Sequence, residues 1–119
     1  MINWKWNNIE LEIDMDDADF HEKYEKAFEA AAKKEQELQA KINTLKPYEF
    51  SRGYCDIFYT IFDGIYGEGI AEKLFNGKRN FRILEEAYES WLSLCKKDIA
   101  ESQKRRKAMY GKFMVVSKQ

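Results

Sequence analysis

Apolar and polar residues alternate along the first fourteen positions. Trp4 and Trp6 flank Lys5, the pair Asn7–Asn8 follows, and Ile9–Ile13 alternates again with two glutamates. A period of two predicts β-strands, and asparagine tolerates the left-handed conformation that a two-residue turn requires. We therefore predict a β-hairpin over residues 1–14 with one apolar face. A lone hairpin is marginally stable in water, so this face is expected to pack on helices or on another copy.

Three longer segments carry apolar residues at the three- and four-residue steps of an amphipathic helix. The first follows an acidic run in which Asp16 or Asp17 is a suitable N-cap, and its stripe predicts a helix of about 25–28 residues that Pro47 terminates. The second helix is expected from Pro47 to about Asp63. The third is expected to begin at Asn80, and its apolar stripe fades by Ser102.

Glycines cluster between the second and third helices, at Gly64, Gly67, Gly69 and Gly77. Glycine is favoured where the backbone turns tightly or adopts a positive φ. We expect the first three to break the second helix, and Gly77 to end a short helical turn that begins near Ile70. The fold class predicted is α+β and mainly α-helical. It comprises three main helices, a short glycine-flanked helical turn and an N-terminal β-hairpin.

The chain has 119 residues, which predicts a single domain, 1–119, that can bury a core without disulfides or metal. We divide it into the hairpin at 1–14, a helical body at 16–102 and a basic, flexible tail at 103–119. Within the tail, residues 109–116 are apolar enough for a strand. The net charge is −1, but acids dominate from Ile9 to Lys34 and none follows Gln103. Such asymmetry can orient partners, or copies of one chain, head to tail.

Catalytic, cofactor-binding and metal-binding residues are not predicted, and the chain is not expected to be an enzyme. His21 is the only histidine and has no recognisable nucleophile as a partner. Cys55 and Cys95 both fall on apolar stripes, which predicts buried thiols rather than a disulfide or a zinc site. A signal-peptide pattern and an apolar run of membrane-spanning length are both missing from the sequence, which indicates a cytosolic protein with no membrane partner.

A basic run, Lys104, Arg105, Arg106 and Lys107, precedes Tyr110 and Phe113. Cations at the end of a helix suit its dipole, which is the simplest explanation of this run. Phosphate contacts and ring stacking would also suit nucleic acid, and an acidic protein surface, including the acidic helix of another copy, is a further partner.

The glycine segment also resembles a family of small proteins in tailed phages and prophages of Gram-positive bacteria. The resemblance covers roughly residues 7–92. The feature most specific to this family is the order of aromatic, glycine and polar residues in two stretches. A helix with aromatic and acidic residues follows them. These residues are Phe62, Asp63, Tyr66, Gly67, Glu68 and Gly69, then Leu74, Phe75, Asn76, Gly77, Lys78 and Asn80, then Glu86, Ala87, Tyr88, Glu89 and Trp91. The basic C-terminus departs from the polar tail of that family.

This resemblance implies a non-catalytic phage tail assembly chaperone that binds the tape-measure protein during tail morphogenesis. Such a protein would act in the cytoplasm of the bacterial host, would be absent from the mature virion, and would self-associate. The candidate partner-binding residues are Trp4, Trp6, Tyr59 and Tyr66, together with Lys104, Arg105, Arg106 and Lys107. Two alternatives remain open: a nucleic-acid-binding phage regulator that uses the basic C-terminal segment, and a phage interaction protein that acts on a host defence system.

Overall fold

The computed structural model describes residues 1–113, and these form a two-stranded antiparallel hairpin and four helices. The predicted class, α+β and mainly helical with an N-terminal hairpin, is confirmed. The elements in chain order are β1 (Ile2–Trp6), β2 (Ile9–Ile13), α1 (Ala18–Ala40), α2 (Pro47–Tyr66), α3 (Ile70–Phe75) and α4 (Phe81–Met109).

The hairpin forms as the alternation predicted. Trp4 lies opposite Leu11 and Trp6 opposite Ile9, so the apolar side chains of both strands share one face. Asn7 and Asn8 have φ values of 49° and 61°, the positive values that a tight two-residue hairpin turn requires. The apolar face packs against α4, which gives the hairpin the support it lacks alone.

Short polar residues set the helix ends. The Asp17 carboxylate caps α1 by accepting a hydrogen bond from the Asp19 backbone N–H at 3.0 Å, and Asn80 caps α4 by accepting one from Ile83 at 3.2 Å. Pro47 begins α2, as expected. α1 is shorter than predicted and ends at Ala40. The Thr44 hydroxyl donates to the Lys41 carbonyl at 2.8 Å, a local bond that favours a turn over a further helical turn.

Gly64 does not break α2, which was expected to end near Asp63 and instead continues to Tyr66. A Cβ on Gly64 would lie 3.2 Å from the Cβ of Ala27 on α1, so the glycine permits close approach of the two helices. The chain leaves the helix at Gly67 and Gly69, which have φ values of 111° and 93°. The segment therefore combines one packing glycine with turn glycines, because only the latter adopt positive φ.

Burial along α4 stops at Ser102, where its apolar stripe was expected to fade, but the helix does not end there. Ser102 is the last buried residue of α4, yet the helix continues through the basic run to Met109. Lysine, arginine and methionine are good helix formers, and cations stabilise the end of a helix, so the helix needs no burial there. Every residue from 103 to 113 is exposed. The predicted apolar strand or tail at 109–116 extends beyond the described residues.

One core joins the hairpin to all four helices, and aromatic rings of α2 and α4 lie at its centre. The molecule is elongated, with extents of 68 × 35 × 21 Å. Its radius of gyration of 18.0 Å exceeds the value of about 14 Å for a compact chain of this length. Among the described residues, no helix combines the length and the apolar character needed to cross a membrane.

Candidate protein-binding groove

An open groove of about 330 Å³ lies between α1 and α4, with α2 as its floor. We call it the α1–α4 groove. An aromatic ring is accommodated by a cavity of about 150 Å³, so the groove has room for about two rings. Its lining residues are Phe28, Ala31, Ala32, Glu35, Tyr54, Ile57, Phe58, Ile61, Phe81, Glu85, Tyr88 and Glu89.

Aromatic contacts define the two ends of the groove. At one end the ring of Phe28 on α1 lies 6.3 Å from Tyr88 and 6.3 Å from Trp91 of α4, so the two helices are joined there. At the other end, Tyr54 of α2 lies between them, with its ring 5.7 Å from Phe81 and its hydroxyl bonded to Glu35. At this second end the helices are thus bridged by an α2 side chain instead of packing directly. The floor residues Ile57, Phe58 and Ile61 are buried beneath this opening. The accessible apolar surface of the groove therefore belongs to its walls, at Phe28, Phe81 and Tyr88.

The rim of the groove is acidic. Glu35, Glu85 and Glu89 are its charged members, and no lysine or arginine lines it. The Tyr54 hydroxyl donates to the Glu35 carboxylate, and this hydrogen bond raises the pKa of Tyr54. Within residues 1–113, none of the three carboxylates forms an ion pair. The groove therefore offers apolar walls beside carboxylates that have no counter-ion among the described residues.

In the part of the chain that the structure describes, His, Cys, Asp and Glu side chains form no cluster that could hold a metal ion. Burial raises the pKa of the Cys95 thiol to about 12, so its nucleophilic thiolate is suppressed at neutral pH. Both cysteines are free and buried, as predicted.

Two of the predicted partner-binding aromatics lie inside the fold. Trp4 is 4% exposed, stacks on Phe62 with ring centroids 5.5 Å apart, and donates its indole N–H to the Ser90 hydroxyl at 2.9 Å. Tyr59 is 7% exposed and donates to the Lys78 carbonyl at 2.8 Å, while the Arg79 guanidinium lies 3.7 Å above its ring. Neither side chain offers a surface to a partner, because each is covered by its own chain.

Trp6 and Tyr66 are half-buried and also serve the fold. Trp6 stacks on Trp4, with centroids 6.0 Å apart. The Tyr66 hydroxyl accepts from the Trp91 indole N–H at 2.9 Å and donates to the Glu12 carbonyl at 3.0 Å, which ties α2 to α4 and to β2. Burial raises the pKa of Tyr66. Since both bonding directions of this hydroxyl are used internally, Tyr66 is a structural residue.

The basic run is exposed as predicted, on the projecting end of α4. Arg105 pairs with Asp16, and the Ser102 hydroxyl and this guanidinium together lower the pKa of Asp16. Lys104, Arg106 and Lys107 form no ion pair within residues 1–113. The structure does not bring this run near the four aromatics, which lie in the body of the fold.

Sequence reasoning missed the groove itself. Phe28, Phe58 and Tyr88 sit on helical stripes, and a stripe position predicts burial without telling which neighbour covers it. One available signal was the pair Glu85 and Glu89, four residues apart beside apolar positions of the same helix.

No curated protein and no solved structure matches the chain at a significant level. A protein-family model does match, over residues 7–119, which is nearly the whole chain. The chain therefore belongs to DUF6673, a family of unknown function.

Proposed function

We propose that this protein is a non-catalytic tail assembly chaperone that holds a helical segment of the phage tape-measure protein in the α1–α4 groove. The observation that carries the proposal is the groove itself, whose apolar walls lie beside three carboxylates that form no ion pair within residues 1–113. A helix in a groove is a common mode of peptide recognition, in which apolar side chains of one helical face act as anchors.

The groove favours a particular kind of client. Aromatic side chains of the groove walls suit apolar anchors, whereas the glutamates suit lysine or arginine at the edges of the same helical face. A tape-measure protein is a long, mostly helical chain that presents such faces many times. Each contact can be weak, because many copies bound along one chain protect it together. The choice of the tape measure as client comes from the resemblance of the glycine segment.

Co-expression with the tape-measure chain encoded in the same genome tests the proposal. We expect the tape measure to become soluble and to co-purify with the protein, with recovery unchanged by nuclease. A tape measure that stays insoluble and unbound in the presence of well-folded protein would reject the proposal.

Nucleic-acid binding is the second candidate, and the exposure of Lys104, Arg106 and Lys107 with Tyr110 favours it. It predicts a salt-dependent shift of DNA that is lost when these cations are replaced by glutamine. DNA binding that survives the replacement would remove the basic run from consideration.

A further inference from the structure

The exposed end of α4 has the opposite character to the groove. We call residues 103–113 the C-terminal arm. It carries five cations and no acid. Met109, Tyr110 and Phe113 are 43%, 75% and 78% exposed, and they form one apolar patch with the stems of Arg105 and Arg106. Exposed apolar side chains that cluster in this way are typical of an interaction surface.

We propose that the C-terminal arm of one copy docks in the α1–α4 groove of a second copy, so that molecules associate head to tail. Charge complementarity supports this occupant. Glu35, Glu85 and Glu89 lack counter-ions within residues 1–113, and four of the five cations on the arm are outside the ion pair that Arg105 makes with Asp16. Tyr110 and Phe113 provide two rings, the number that the groove volume accommodates.

The occupant has to be another molecule. Tyr88 in the groove and Met109 in the arm belong to the same continuous helix. They are twenty-one residues apart, which corresponds to about 32 Å at the rise of an α-helix. A straight helix holds its own arm away from its own groove, and folding the arm back would require breaking α4.

A contact between groove and arm determines how copies of the chain can assemble. Groove and arm are different surfaces, so the contact is heterologous. When two molecules have paired, one still has a free groove and the other a free arm. Association of this kind closes into a ring or continues as an open chain. The inference shares its groove with the proposed function but stands without it, because it needs no client. If both hold, the arm of a neighbouring copy and the client compete for one site.

Two variants test the groove and the arm separately. Ala32 is an exposed residue on the groove wall, so Ala32→Trp fills the groove without removing core packing, and the exposed Ala30 outside the lining gives the control Ala30→Trp. Tyr110→Ser/Phe113→Ser removes the rings of the arm. Tyr48 is 58% exposed and lies outside groove and arm, which makes Tyr48→Ser its control.

Sedimentation equilibrium of the purified full chain then tests the inference. The wild-type mass should rise with protein concentration and fall as salt is added, and both controls should behave like the wild type. Each of the two variants should weaken association by about tenfold or more, since each removes one half of the contact.

Mixing the two variants is the decisive step of the experiment. The intact arm of Ala32→Trp should bind the intact groove of Tyr110→Ser/Phe113→Ser, and the complex should stop at one copy of each. A wild type that stays monomeric, variants that associate as it does, or a mixture that gives no complex would each overturn the inference. Because no tape measure is present, failure here leaves the co-expression result unaffected, and the reverse also holds.

Discussion

Two aromatic regions on α2 and α4 differ in what covers them. Near the hairpin, Phe62 and Trp91 lie 5.2 Å apart under Trp4, and the indole N–H groups of both tryptophans donate to hydroxyl groups within the fold. At the α1–α4 groove, Phe58 and Tyr88 also lie 5.2 Å apart, but Phe58 is buried and only the half-buried Tyr88 is partly open to the groove. Similar residues on the same helices thus form a closed core beneath the hairpin and line an open groove between α1 and α4.

The largest expected difference between the two regions is in stability. Trp91 is fully buried, so Trp91→Ala should lower the free energy of unfolding by about 4 kcal/mol through lost burial and a residual cavity. Phe81 on the groove is 39% exposed, so Phe81→Ala should cost about 1 kcal/mol or less. Urea denaturation measures both values. Equal losses would mean that the groove is a structural part of the core.

The second largest effect is expected at alkaline pH, which should lower the free energy of unfolding through the buried Cys95. Burial raises the pKa of Cys95 from 9.0 to about 12, so the folded state keeps a proton that the unfolded state loses above pH 9. The unfolded state then binds fewer protons, and stability present below pH 9 is lost as pH rises toward 12. The loss from this thiol should reach on the order of 3 kcal/mol by pH 11. Denaturation across this range measures it.

Burial also raises the pKa of Tyr24 from 10.0 to about 12, which adds to the fall in stability from pH 10 upward. Cys95→Ala separates the two groups. The variant should be less stable at neutral pH but should lose less stability than the wild type between pH 9 and pH 11. An unchanged pH slope would show that the thiol does not titrate with unfolding.

A smaller effect is expected where the hairpin joins α4. Asp98 is 1% exposed, and its carboxylate accepts a hydrogen bond from the Met15 backbone N–H at 2.8 Å. Asp98→Ala would leave this buried donor unsatisfied and should cost about 2 kcal/mol. Asp98→Asn keeps an acceptor and should cost less. Thermal unfolding compares them, and an Asn variant as unstable as the Ala variant would contradict this role for the acceptor.

Local rules predicted much of this fold. The Asn7–Asn8 turn, the caps at Asp17 and Asn80 and the start at Pro47 each depend on residues within a few positions of one another. The end of α4 was harder to predict, because burial stops at Ser102 while the helix continues to Met109. A charged helical end has no apolar stripe to mark it.

The candidate site depends on contacts between distant residues and was largely unpredictable. Trp4 was expected at a partner surface because a hairpin face needs cover, and the cover came from the chain itself. Conversely, Tyr88 looked like a core residue and lines the groove. The burial of Asp98 and Ser102 could have been predicted from the sequence. They follow Trp91 and Cys95 at helical spacing, so an acid and a serine stood at core positions.

Binding of a tape-measure segment to two groove variants tests the central claim most directly. By calorimetry, the account predicts that Ala32→Trp weakens the affinity of a basic amphipathic segment by at least about tenfold, since the new ring occupies its site. Ala30→Trp, on the same helix and outside the lining, should bind like the wild type. Equal affinity of both variants would contradict the claim that the open region between α1 and α4 is the binding surface.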